Sequence, residues 1–256
     1  ATKLQKKDDK FAILEYAGHM KYEYELISHN YIRGFHLFLV RILYRTPHLH
    51  REFEVNLILD GSVEILSQGR EYHAETGDFF VFDPYQPHEL RAREGTVLIL
   101  SIQISPAFFS DYFPQMESVR FGTEIFHRAA SPRHQQLYRQ LLELTCCYCQ
   151  KAPFYELDCA GNINALFRAL LDVSAFTVVS EVERPAQRAR QERVRYLAER
   201  IEGGFSEKLL LGDLAKELGV DLYYLSHFFR EHFGLSFQEY LAKLRCEAAR
   251  RASGNL

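Results

Sequence analysis

The spacing at which apolar residues recur changes once along this chain, near residue 104, and that change most restricts the fold. Before it, the strand-forming runs Phe35 to Tyr44, Phe53 to Leu59, Ser62 to Ser67, Phe79 to Phe82 and Thr96 to Ile104 are short and broken by turn residues. That is the pattern of a β-barrel or sandwich. Asp60-Gly61 signals a hairpin, and Gly69 and Gly77-Asp78 mark the next reversals. After it, apolar residues recur at helical steps. Leu137, Leu141, Leu144 and Tyr148 predict a helix from Pro132 to about Gln150, and Ile163, Leu166, Phe167, Leu170 and Leu171 one from about Glu156 to Phe176. Ser105 and Pro106 read as the start of a short helix between barrel and long helices. Strands first and helices afterwards make the fold class α+β.

Residues 177–190 lose this periodicity, contain Pro185 and turn basic, so they read as a linker. A helix from Gln191 to Glu202 then leads through Gly203-Gly204 into a pair of short helices. In the first, Leu211, Leu214, Ala215 and Leu218 form one apolar face, and Gly219 ends it because glycine tolerates the positive φ of a helix exit. Asp221 caps the second, with Val220 and Leu225 spaced as a hydrophobic staple. Leu225, Phe228 and Phe229 point inward, which leaves Tyr223, Ser226, His227 and Arg230 along one outward ridge. A ridge of that kind fits a DNA major groove, where base edges are read by hydrogen-bonding side chains. Ser236 and Glu239 then make a capping box, and Phe237, Tyr240, Leu241, Leu244 and Ala248 give a further helix its apolar face.

Leu211, Leu214, Ala215, Gly219, Leu225, Phe229, Arg230, Gly234, Ser236, Phe237, Tyr240, Leu241 and Arg245 stand in the order of the first of two helix-turn-helix units of AraC-type transcription regulators, which this segment resembles. The resemblance implies base contacts by Tyr223, Ser226 and His227 and a phosphate contact by Arg230. Leu210 departs from it, standing where the family has a capping hydroxyl or acid, so the first helix is expected to start less sharply. The resemblance also implies a second unit of about fifty residues, whereas the sequence stops at Leu256; on that ground this chain alone is expected to bind DNA weakly or not at all.

In the strand-rich region, His48, His50, Glu54 and Gly61, then Gly77-Asp78, Pro84 and His88, resemble the two motifs of the cupin barrel. On a strand, alternate residues share a face, so His48, His50 and Glu54 are expected to project together, with His88 closing the set from a neighbouring strand. Three imidazoles and a carboxylate suit zinc, iron, manganese or copper. AraC-type regulators, however, carry similar groups without a metal. The metal is therefore set second to a small-molecule pocket in which His48, His50, Glu54 and His88 join the aromatics Phe53, Tyr72 and Tyr85. Sugars suit such a mixture.

The expected organisation is a cupin-like effector barrel over residues 1–104, with residues 1–10 loose, then helices over 105–176 that pack on it and pair two copies, the linker, and a DNA-binding domain over 191–256. The favoured function is a ligand-responsive, homodimeric DNA-binding regulator with no cofactor and no reaction of its own. A metal-dependent cupin enzyme is the alternative, and a pure interaction protein the third reading. The net charge is −3, and residues 191–256 carry ten basic and ten acidic side chains, so DNA binding rests on helix shape more than on bulk charge. No apolar run is long enough for a membrane span and no signal segment opens the chain, which places it in the cytoplasm. Five cysteines, three of them at Cys146, Cys147 and Cys149, match neither a secreted disulfide framework nor a zinc-finger spacing and read as reduced thiols.

Overall fold

The computed structural model describes residues 24–25, 32–180 and 182–253, so the segment expected to be loose, 1–10, lies outside the described residues. Twelve strands and six α-helices follow one another along them. The strands are β1 (Tyr24–Glu25), β2 (Phe35–Ile42), β3 (Tyr44–His48), β4 (Phe53–Asp60), β5 (Ser62–Ser67), β6 (Arg70–Glu75), β7 (Phe79–Phe82), β8 (His88–Ala92), β9 (Val97–Ile104), β10 (Val119–Arg120), β11 (Ile125–Phe126) and β12 (Thr177–Val178). A six-stranded sheet ordered β1-β2-β9-β4-β7-β11 faces a four-stranded one ordered β3-β8-β5-β6, with antiparallel pairing throughout. Two facing antiparallel sheets followed by helices agree with the α+β class expected, the predicted barrel taking the form of a β-sandwich. The Asp60-Gly61 reversal joins β4 to β5, and Gly61 is required there twice over: its φ is 90°, and an added Cβ would lie 2.9 Å from the Thr96 carbonyl oxygen.

Alternation along β4 sorts its side chains between two cores. Phe53, Val55 and Leu57 join the apolar cluster beneath the helices, while Ile58 joins Val63, Ile65, Phe80, Phe82, Val97 and Ile99 between the sheets. Covering the outer face of the six-stranded sheet are α1 (Pro132–Gln150) and α2 (Tyr155–Val173), which bury the stripe read from sequence: Leu137, Leu141, Leu144, Tyr148, Ile163, Leu166, Phe167 and Leu170. Ser131 caps α1 by accepting from the His134 N–H at 3.1 Å. The helix expected at Ser105-Pro106 is a 3-10 turn, Pro106–Phe109, with the Ser105 hydroxyl accepting from the Ala107 N–H at 3.3 Å.

Residues 177–190 do not form the featureless linker expected. Thr177–Val178 pairs with Val119–Arg120, and α3 (Arg184–Gly204) starts at Arg184 instead of Gln191. Pro185 lies in the first turn of α3, where its missing N–H costs nothing, so it opens the helix that it was expected to exclude. Helices α4 (Leu211–Glu217), α5 (Leu222–Phe233) and α6 (Phe237–Ser253) close with α3 around Val194, Leu197, Ile201, Leu214, Leu225, Phe229, Phe233, Phe237 and Leu241. The capping signals were legible. The Asp221 carboxylate accepts from the N–H groups of Tyr223 at 2.7 Å and Tyr224 at 3.2 Å, and Ser236 and Glu239 cap each other. At Leu210 no side chain caps α4, as its departure from the family pattern implied. Among the described residues no helix is long and apolar enough to cross a membrane.

Candidate functional site

His48, His50, Glu54 and His88 meet at one end of the space between the sheets, although not by the route expected. Strand β3 ends at His48 and β4 begins at Phe53, so His50 sits on the connection and does not share a strand with Glu54. A register shift between Arg45 and His48, where Pro47 interrupts the ladder, turns His48 towards His88, its cross-strand partner. The His50 carbonyl accepts from the Tyr85 N–H at 2.7 Å, which anchors the connection from the opposite side. Tyr85 holds a left-handed φ of 61° to make that bond.

Each imidazole is fixed by its own backbone. The Nδ1 atoms of His48, His50 and His88 lie 2.8, 3.0 and 2.9 Å from the carbonyl oxygens of Thr46, Glu52 and Gln86. Nδ1 therefore donates, which leaves Nε2 as the remaining acceptor on His48 and His88, whereas on His50 Nε2 is a second donor. His50 Nε2 is bonded to the Glu54 carboxylate. His88 Nε2 is buried without a hydrogen-bond partner and lies 3.8 Å from that carboxylate. A buried unsatisfied nitrogen costs about 1–3 kcal/mol, and Phe82 stacked on the His88 ring at 3.9 Å keeps the side chain from turning away. Ligand atoms of His48, Glu54 and His88 all lie within 4.8 Å of one another.

The charges reflect this crowding. Burial pushes the His88 imidazole down to about 4, against the pull of Glu54, and burial together with neighbouring His88 holds His48 well below its ordinary value. Burial also works to raise Glu54, but the charge and hydrogen bond of His50 overcome it and hold the carboxyl far below the usual range; the same pair raises His50 against its own burial. Two neutral imidazoles, a third tied to an ionised carboxylate and one orphaned ring nitrogen form a donor set that fits a divalent ion. The backbone carbonyls on Nδ1 are the supports that metal-binding imidazoles use.

The aromatics assigned to the pocket lie elsewhere. Phe53 points away from Glu54, fully buried against Phe121 and Phe167, because adjacent strand residues face opposite sides. Tyr72, on β6, is in register with Ile65 and Leu90 and separated from β8 by β5, so it packs on the apolar half of the interior. Tyr85 packs against the helical cluster of α3 to α6. Their places near the site are taken by polar residues that the motif did not flag. Gln103 donates to Glu54 at 3.3 Å, and Ser101 donates to Asn56 at 2.5 Å, with Asn56 Nδ2 left unpaired. Alternation was the available signal, since Asn56 follows Glu54 by two on β4.

On α5, Tyr223, Ser226, His227 and Arg230 are all exposed, whereas Leu225, Phe228, Phe229 and Phe233 are buried. The Tyr223 and His227 rings lie 4.4 Å apart along the outward ridge. This unit also touches the barrel beside the histidines. Leu49, between His48 and His50, and Tyr85 pack on the α3–α6 cluster, and Lys243 of α6 donates to Tyr44 at 3.0 Å and Glu89 at 3.2 Å.

Residues 41–167 match the family described as the AraC-like ligand binding domain. Similar solved structures include a cupin-2 domain protein of Shewanella frigidimarina, 18% identical, covering 31% of this chain and 78% of that one with a TM-score of 0.28. A cupin superfamily protein of Desulfitobacterium hafniense is 14% identical over 36% of this chain and 84% of that one, TM-score 0.31. Oxalate decarboxylase of Bacillus subtilis is 22% identical over 33% of this chain but only 25% of its own length, TM-score 0.28. No curated protein matches the chain.

Proposed function

We propose, from an AraC-like ligand-binding domain at residues 41–167, that this protein is a ligand-responsive transcription regulator: the His48, His50, Glu54 and His88 end of the barrel receives the signal, and the α4–α5 pair reads DNA as a helix-turn-helix. The observation that carries this reading is that Leu49 and Tyr85 contact the helical unit while their backbone neighbours shape the histidine site. Anything that moves His50 or Tyr85 must disturb that contact. The geometry favours a divalent ion at the site over the expected small-molecule pocket in which these polar groups join the aromatics Phe53, Tyr72 and Tyr85. His48, Glu54 and His88 would hold it, with His50 released from the carboxylate as a further donor. The ion would supply a positive anchor for an oxygen-bearing effector. Pairing of two copies belongs to the same reading, as it would space two reading helices on DNA.

Selection of duplexes from a random library, with and without divalent ions, tests the reading. At low salt, where even the weak binding expected of one helix-turn-helix unit is retained, recovery of one sequence class whose enrichment changes with the ion supports it; no enrichment there with or without ions sinks it. With that sequence in hand, His227→Ala should lose about 1–3 kcal/mol of discrimination at one base pair, while Arg230→Ala should weaken all duplexes alike and flatten the salt dependence. Lys243→Glu sets a like charge against the buried Glu89 carboxylate. It should leave ion binding intact and accelerate limited proteolysis between residues 174 and 184 severalfold; an unchanged cleavage rate would mean that the contact does not hold the units together.

A second reading, metal-dependent catalysis, is favoured by the same donors, because three imidazoles and a carboxylate leave coordination positions for a substrate. In that case the ion would act as a Lewis acid and Gln103, bonded to Glu54, would hold the carboxylate in place. Ion-dependent consumption of a small carboxylic acid, together with no operator recovered, would establish it.

A further inference from the structure

Helices α1 and α2 form a hairpin joined by residues 151–154, in which Lys151 at φ 47° and Phe154 at φ 67° take left-handed conformations to reverse the chain tightly. That reversal sets two sulfurs against each other. Cys159, fully buried on α2, directs its thiol at Cys147 on α1, with the Sγ atoms 3.5 Å apart. Cys147 in turn lies 3.6 Å from the Tyr155 carbonyl oxygen. Its other side is open: Cys147 lines a surface hollow of about 580 Å³ together with Glu143, Cys146 and Leu157. The two thiols are thus unequal in exposure while in contact.

We propose that Cys147 and Cys159 are an oxidisable pair that closes to a disulfide across the α1–α2 hairpin when the protein meets a peroxide. Burial and the bond to Cys147 push the Cys159 thiol up to about 12, so it stays protonated and sheltered. Oxidation therefore begins at Cys147, which the hollow exposes. Its thiolate attacks one peroxide oxygen; the O–O bond breaks, the other oxygen leaves as water after taking up a proton, and Cys147 becomes a sulfenic acid. The Cys159 sulfur, already in contact, then displaces the hydroxyl from Cys147 sulfur. The S–S bond forms, and the Cys159 proton leaves with the hydroxyl as a second water. Two electrons pass from the pair of thiols to the peroxide. Reduction by a small dithiol reverses the step.

Cys146 and Cys149 share α1 with Cys147 and provide the internal comparison, since neither is in hydrogen-bond contact with Cys159. The full chain is treated with hydrogen peroxide at a small molar excess, blocked by alkylation and digested without reductant. The expected product is a cross-link between the peptides holding Cys147 and Cys159, with fragmentation placing the bond at Cys147, and with full loss on dithiothreitol. Cys146→Ser/Cys149→Ser, which keeps the pair untouched, should form the link in the same yield. Cys147→Ser should abolish it and leave Cys159 alkylated. The proposal is overturned if the double variant, folded by circular dichroism, forms no link, if the link persists in Cys147→Ser through Cys146 or Cys149, or if Cys147 ends as a sulfinic acid beside a free Cys159.

Discussion

Protein purified without chelator should carry close to one divalent ion per chain, and His88→Ala should lower its affinity for that ion by about a hundredfold or more, measured by elemental analysis and calorimetric titration. The size follows from what His88 provides. Losing an outer support of a metal ligand typically costs 10–100-fold in affinity, and loss of a donor should reach or pass the upper end. His88 Nε2 is buried, unpartnered, and held by Phe82 and the Gln86 carbonyl. Phe53→Leu, which alters the aromatic core behind Glu54, should leave affinity nearly unchanged if that side chain is, as observed, no part of the site. An ion bound equally by wild type and His88→Ala would refute the assignment, as would protein that takes up no ion from a panel of manganese, iron, zinc and copper.

Stability of the ion-free protein should fall by about 3 kcal/mol as pH drops from 7 to 4, through the titration of His88. The sign is fixed by which state holds more protons. Unfolded His88 protonates near 6.5, folded His88 only near 4, so between these values the unfolded chain binds the extra proton and stability declines with pH. A gap of about 2.5 units at 1.36 kcal/mol each sets the scale. His48, also lowered, adds in the same direction. His50 acts elsewhere: its pKa is raised, so its contribution is complete below 6.5 and is lost as pH rises above it. Glu54, lowered, loses its contribution only below the ordinary carboxylate range. Urea unfolding at pH 7, 5.5 and 4, for wild type and His88→Leu, isolates the effect. The variant should lose markedly less stability over this range, and equal slopes would show that His88 is not held neutral by burial.

Wherever a local pattern has a local cause, the elements were readable in advance. The capping of α5 by Asp221, the Ser236–Glu239 box, the end of α4 at Gly219 and the buried stripe of α1 all depend on residues within one or two helical turns. The exposure of Tyr223, Ser226, His227 and Arg230 follows from the same periodicity. Pro185 shows the weakness of such reasoning, because one residue type serves both to break a helix and to open it.

The candidate site shows what required the third dimension. Sequence identified His48, His50, Glu54 and His88 as a set through their resemblance to the two cupin motifs, of which strand spacing explains a part. It could not place them. A bulge at Pro47, a loop carrying His50 and a bond from Tyr85 bring the set together, where simple strand alternation would have given a different face. Strand alternation likewise removed Phe53 from the pocket, and strand order removed Tyr72. Contacts between residues distant in the chain, such as Lys243 with Glu89 or Cys147 with Cys159 across a helix reversal, leave no local trace, because their energy depends on packing and not on neighbouring sequence. The chain's own order of residues determined which elements form and which side chains each one exposes; tertiary packing alone decided which of those side chains meet.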